Sequence, residues 1–202
     1  MNSKQVSFED KQFILYEDIA SLRAQRILLR DLFGEINKYE NVYETMGESR
    51  RVIENALSND FVITLAKLFD ISSDPNIVHL KSLIVETTER APGSIISNKR
   101  NEYLDQIRDV KRRLDAPRDT SRAHNYPSKP DPFPSRTWSE LDSWTDLAEE
   151  IFMCCMKSLG RVWQGTRDGI LSKKLPRECL VLLDKYKEMI EENRAKREQI
   201  LK

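Results

Sequence analysis

Apolar residues recur along this chain at intervals of three and four, and no stretch alternates convincingly at period two. That spacing marks one face of an α-helix and gives no strand from which to build a sheet. Tyr103, Ile107, Val110 and Leu114, for instance, stand four, three and four residues apart. No repeat of solenoid length interrupts the pattern. A chain of 202 residues with only 6 glycines is long enough to enclose one well-packed core. The expected fold is therefore all-α, a bundle of five or six helices.

The helices can be placed in order. A first runs from about Ser7 to Phe33, with Leu15, Ile19, Leu22, Leu29 and Phe33 on one face and Arg26 snorkelling at its edge. Gly34 stops it, unless Ile36 to Tyr43 extends it after a kink. A second, Gly47 to Phe69, carries the stripe Ile53, Leu57, Phe61, Leu65 and Leu68. Asp74 as N-cap and Pro75 at the first helical position open a short third helix to Arg90. Ile77, Leu80, Leu83 and Ile84 form its buried side, and Ala91-Pro92-Gly93-Ser94 ends it. A fourth covers Ser97 to Leu114; Pro117 then kinks or restarts the helix, with Asp115 able to cap the new turn. Thr137-Trp138-Ser139-Glu140 has capping-box spacing and opens a helix to about Trp163, with Trp144, Leu147, Ile151, Cys155 and Leu159 along its core face. After a loop from Gly165 to Gly169, Pro176 begins a last helix in which Leu180, Leu183, Tyr186 and Ile190 pack. The organisation expected is a bundle over residues 1–165 and a helical extension, 166–202, packed on it.

Composition excludes several function classes. The 33 basic and 33 acidic residues cancel, so the whole chain has no general electrostatic grip on nucleic acid or anionic lipid. The cysteines Cys154, Cys155 and Cys179 form neither a zinc spacing nor a disulfide framework, and read as reduced, largely buried thiols. The first residues contain no apolar core of signal-peptide type, and no uncharged stretch approaches the ~18 residues of a membrane span. A soluble, cytoplasmic protein with no membrane partner is expected. With no glycine-rich phosphate loop and no serine-nucleophile elbow, neither a metal nor a cofactor is called for.

Chemistry concentrates in one stretch, Arg118-Asp119-Thr120-Ser121-Arg122-Ala123-His124-Asn125-Tyr126, which precedes an extended proline-studded segment from Pro127 to Pro134. Between Arg108 and Arg122, six basic residues (Arg108, Lys111, Arg112, Arg113, Arg118 and Arg122) face three acidic ones (Asp109, Asp115 and Asp119). Two readings stay open for the cations: a solvated helix end complementing the macrodipole, or a phosphate-facing patch. Likewise Arg118 can pair with Asp115 or Asp119, and His124 can cap a helix C-terminus. His79, beside Leu80, reads as structural or exposed. Trp138, Trp144 and Trp163 read as core or interface anchors rather than a base-stacking platform.

Arg118, five intervening residues and His124, set between two bundle helices, resemble the Arg-x(4–6)-His motif of the HEPN superfamily. The polar Asp119 after the arginine fits it. Leu65-Ala66-Lys67-Leu68-Phe69-Asp70 and the proline-rich link into a tryptophan-bearing helix resemble the abortive-infection AbiU-like branch. The resemblance spans roughly Ser7 to Gly165. It implies an HEPN-like bundle of four main helices, here with a short helix and a C-terminal helix added. It also implies a homodimer whose two motifs face each other across a cleft. Active members are metal-independent endoribonucleases, often toxins or phage-defence effectors. Such a site cleaves RNA through its own 2′-hydroxyl, so protein groups need only move protons and stabilise charge. His124 would serve as general acid or base and Arg118 would hold the scissile phosphate. Asp119 would orient either of them, while Arg122, Arg113 and Arg112 would contact RNA. Some HEPN toxins carry Arg-x4-His-x-Tyr, whose tyrosine a partner antitoxin modifies. Tyr126 is the corresponding candidate here, although the gap before His124 is one residue longer and a packed or capping tyrosine is the competing reading.

On a continuous helix Arg118 and His124 would stand about 120° apart at ~100° per residue. Either the helix ends before His124 or a second protomer completes the pair. The alternative function is a non-catalytic helical module that dimerises and binds a partner protein or RNA.

Overall fold

A computed structural model of the chain describes residues 6–29, 44–74, 77–122 and 138–161, with further helical backbone at 181, 184–185, 187–189 and 191–192. At positions 50, 116–122 and 138 the description is of backbone alone. Among the described residues there is no strand. Five helices follow in order: α1 (Phe8–Leu28), α2 (Glu48–Leu68), α3 (Leu80–Arg90), α4 (Ile95–Arg122) and α5 (Trp138–Ser158). Four are long and α3 is short, an all-α arrangement. Phe33, Gly34 and Ile36–Tyr43 lie outside the described residues, as do Trp163, the loop Gly165–Gly169, and Leu180, Leu183, Tyr186 and Ile190.

Ser7 starts α1 by accepting the Asp10 N–H at 3.1 Å, and Glu9 and Asp10 add negative charge to the first turn, where the helix dipole favours it. Leu15, Ile19, Leu22 and Leu29 are buried, as their spacing requires. Arg26 sits at the edge of that face and reaches Asp142 and, at 2.8 Å, Asp146 of α5. Arg23 pairs with Glu149 beside it, so α1 and α5 are stitched along their rim by charges that contribute little each. The interior of α1 is less apolar than its periodicity suggests. Lys11 is buried against Glu86 of α3, and Gln12 accepts from Arg161.

The stripe of α2 divides in two. Phe61, Leu65 and Leu68 are fully buried, whereas Ile53 is 42% exposed and its neighbour Val52 65% exposed. The expected burial of Ile53 is therefore corrected: only the C-terminal half of α2 enters the core, held by α1 through Lys67–Asp18 (2.7 Å) and Gln25–Asp60. A helical stripe states which residues share a face and does not state how far a neighbour extends along it.

The start of α3 is also corrected. Asp74 does not open it, and Pro75 lies outside the described residues. The Asp70 carboxylate accepts the N–H groups of Ile71 and Ser72 at 2.7 and 3.2 Å, and Ile77 N–H bonds back to the Asp74 carbonyl at 3.1 Å, so the chain turns before it coils. His79 is the N-cap, with φ −151° and ψ 164°, and Leu80 is the first helical residue. A buried capping box at His79 satisfies orphan donors that Asp74, exposed at the surface, would have satisfied in competition with water.

The fourth helix is longer than its apolar run. α4 begins at Ile95, two residues before the expected Ser97, and the Ile96 N–H is received by Ser158 Oγ of α5 at 3.1 Å. It passes through Pro117 to Arg122 without restarting, and Asp115, inside the continuous helix, pairs with Lys111 at 3.0 Å, one turn back. Loss of one backbone donor at Pro117 does not end a helix whose preceding turns are anchored by Tyr103, Ile107, Val110 and Leu114, all buried.

The fifth helix stops at Ser158 rather than near Trp163. Gly160 has φ 67°; its N–H bonds the Lys157 carbonyl and the Arg161 N–H bonds that of Met156, each at 3.0 Å, which is a Schellman termination. α5 touches all four other helices, with Trp144, Ile151 and Cys155 buried and Leu147 and Leu159 half-buried at its rim. No described helix is long and apolar enough to cross a membrane.

Candidate functional site

α4 carries the cations and the start of the Arg/His stretch, so its placement governs the candidate site. It packs on α3 and α5. Tyr103 anchors it: the ring is buried, and its hydroxyl donates to Glu150 of α5 at 2.9 Å. Burial and that carboxylate hold the phenol well above its ordinary pKa, so Tyr103 is a neutral donor at any cellular pH. Lys99 lies over the same ring, 5.3 Å from its centroid, and 3.7 Å from Glu150.

The cations beyond Tyr103 are paired. Arg108 meets Asp105 at 2.6 Å, Lys111 meets Asp115 at 3.0 Å, and Arg112 meets Asp109 at 2.5 Å. Arg113 bridges helices, 3.1 Å from Asp109 and 3.2 Å from Glu140 of α5. Those within α4 are ion pairs one turn apart, each worth a few tenths of a kcal/mol, of order ~0.3–0.5. Arg112 and Arg113, the expected RNA contacts, thus stand at the surface with carboxylates that RNA phosphates would have to displace.

Arg118 occupies a different line. It follows Leu114 by four residues and Ile107 by eleven, which on a helix turning ~100° per residue places its backbone position within about 20° of Ile107. Arg118 therefore stands, by helical register, on the line of the buried stripe of α4, whereas Arg112 lies roughly 160° from Leu114. Asp119 and Arg122 share the last turns of α4 with Arg118, and the description of all three is of backbone only. His124 and Tyr126 lie outside the described residues.

The polar groups that sequence reasoning missed are structural. Lys11–Glu86 and Tyr103–Glu150 join helices, each with a buried donor, and His79 caps α3. A lysine or a tyrosine on an apolar face was the available signal for the first two. For His79 the signal was a serine three residues on, the spacing of a capping box. Between the α2–α3 connection and α4 lies a cleft of about 110 Å³, lined by Ile71, Lys81, Leu104, Ile107 and Arg108. Among the described residues no group of three or more histidine, cysteine or carboxylate side chains is gathered as a metal would require.

Comparison with family profiles, with characterised proteins and with solved structures finds no match.

Proposed function

We propose that this chain is a metal-independent endoribonuclease of HEPN type, a toxin or phage-defence effector of the AbiU-like branch that acts as a homodimer. The observation that carries the reading is the register of α4. Its buried stripe of Tyr103, Ile107, Val110 and Leu114 is followed in line by Arg118, a permanent cation where the pattern calls for the next core residue. Four long helices with a short one between the second and third long ones also fit the architecture that the motif implies.

The chemistry follows from the residue types. The RNA 2′-hydroxyl attacks the adjacent phosphorus, the 2′-proton passes to a base, and the departing 5′-oxygen takes a proton from an acid. His124 performs proton transfer near neutral pH, where an imidazole is available in both forms. Arg118 holds the phosphate oxygens through its planar fork as negative charge builds on them. Asp119 orients Arg118 or His124, and Arg122 holds a flanking phosphate. With zero net charge and Arg108, Lys111, Arg112 and Arg113 paired, the protein favours a restricted, structured RNA over indiscriminate binding. A tyrosine one residue past His124's neighbour leaves Tyr126 as the point at which an antitoxin would modify the site.

The test is cleavage of total RNA in the presence of a chelator. Wild-type protein is expected to cut, while Arg118→Ala and His124→Ala lose on the order of 10²-fold or more in rate. Equal behaviour of all three proteins sinks the catalytic reading and leaves a non-catalytic helical module for dimerisation and binding. The pairing of Arg108, Lys111, Arg112 and Arg113 with carboxylates is the observation that would then weigh most.

A further inference from the structure

His79 is buried, only 2% exposed, and both ring nitrogens are committed. Nδ1 accepts the Ser82 N–H at 3.0 Å, which obliges Nδ1 to be bare, and Nε2 is 3.0 Å from the Ser72 carbonyl, which obliges Nε2 to carry the hydrogen. One neutral tautomer satisfies both bonds and no other protonation state does. Around it, the His79 N–H meets Ser82 Oγ at 3.4 Å, and Ser82 Oγ in turn donates to the His79 carbonyl at 2.7 Å. The same connection is tied a second time by Lys81 Nζ, which donates to the Ile71 carbonyl at 2.8 Å.

We propose that His79 is a proton-operated latch: as the neutral ring it caps α3 and fastens the α2–α3 connection to that cap, and as the imidazolium it releases the cap. The reason is geometric. A proton on Nδ1 would face the Ser82 N–H, donor against donor, and the buried capping bond would become a repulsion. The bond from Nε2 to Ser72 survives protonation, but it is then made by a buried charge whose ring can no longer sit over the helix end, itself the positive end of the α3 dipole.

The charges facing the ring come from three elements. Lys11 of α1 and Lys81 of α3 oppose protonation, and Asp70 of the α2–α3 connection favours it, as does the Ser72 carbonyl. Burial outweighs all of them and holds the imidazole below its ordinary 6.5. The sign follows. The cap's contribution is fully present above the unfolded value of 6.5, falls away as pH drops below it, and is gone beneath the lower folded value. The latch does not depend on the ribonuclease reading.

The chain's only other histidine is His124, so the titration can be assigned. Backbone amide exchange, corrected for the intrinsic rate, is followed from about pH 7.5 to about pH 4.5 in wild type, His124→Ala and His79→Asn. Asparagine keeps a capping acceptor and does not titrate. The expected result is roughly fivefold faster exchange at Ser82 and Leu83 in wild type and His124→Ala at the acid end, with no such change in His79→Asn. The same loss in His79→Asn, or none in wild type, overturns the latch. Should His79→Asn fail to fold, nitrogen NMR of the wild-type rings decides. A neutral Nε2–H form whose protonation coincides with loss of protection at Ser82 supports the latch, and protonation without that loss overturns it.

Discussion

Single residues of this protein carry their chemistry according to depth rather than type. Cys154 and Cys155 are adjacent in sequence, yet Cys155 is sealed in the core of α5 while Cys154 is half-buried. Burial pushes the Cys155 thiol up to about 12. The folded protein at about pH 8 is therefore expected to leave Cys155 unalkylated by iodoacetamide, as read by peptide mass mapping, and to react there only once unfolded. Rapid native alkylation of Cys155 would show that the residue is open to solvent. The same displacement has a signed effect on stability. A thiol raised from 9.0 to about 12 by folding contributes fully below pH 9.0, and the contribution is lost as pH climbs toward 12. The expected burial holds fully at Cys155 and in part at Cys154, Cys179 lies outside the described residues, and of the two readings of His79, structural or exposed, the structure selects the structural one. What the residue types could not show is that His79 acts as a helix cap, because a cap depends on extended backbone at one position and a helix at the next.

At the scale of elements, apolar periodicity found all five described helices and misplaced the start of α3, both ends of α4 and the end of α5. The errors have one cause: an end is fixed by hydrogen bonding, and several candidate signals compete for it. Asp74-Pro75 was a good opening for α3 and lost to His79, whose box is buried. Pro117 was a good break in α4 and was overridden by anchored turns before it. Gly160, a plain stop signal, ended α5 five residues early of Trp163. α2 offers the sharpest test of how far periodicity reaches. Leu65 and Ile53 lie on the same expected stripe, but Leu65 is fully buried and Ile53 is 42% exposed. Leu65→Ala is expected to cost about 2–5 kcal/mol in urea unfolding and Ile53→Ala less than about 1. Comparable losses at both positions would mean that the whole stripe is covered.

At the scale of the molecule, the ribonuclease we propose raises one decisive question, whether Arg118 and His124 would work within one protomer or across two. Both stand on a stretch that begins in α4, and a continuous helix would set them about 120° apart. If the site is shared, neither Arg118→Ala nor His124→Ala homodimers can cut. Mixing and reannealing the two in equal amounts should then restore about a quarter of wild-type activity, because half the dimers carry one complete site. A mixture as inactive as its parents would put both groups in the same protomer. The same cleavage assay and sedimentation of the mixture provide the measurement.

The sequence by itself determined the all-α class, the order of the helices and the buried faces of α1, α4 and α5, since these follow from spacing along one chain. It also marked the stretch from Arg118 to Tyr126 by composition alone. Tertiary structure decided the rest. It settled which half of α2 enters the core, where α3 begins, and that α4 continues through Pro117. It showed too that the cations of Arg108 to Arg113 are matched by carboxylates. Each of these depends on a partner brought close in space, and spacing along the chain carries no record of which partner arrives.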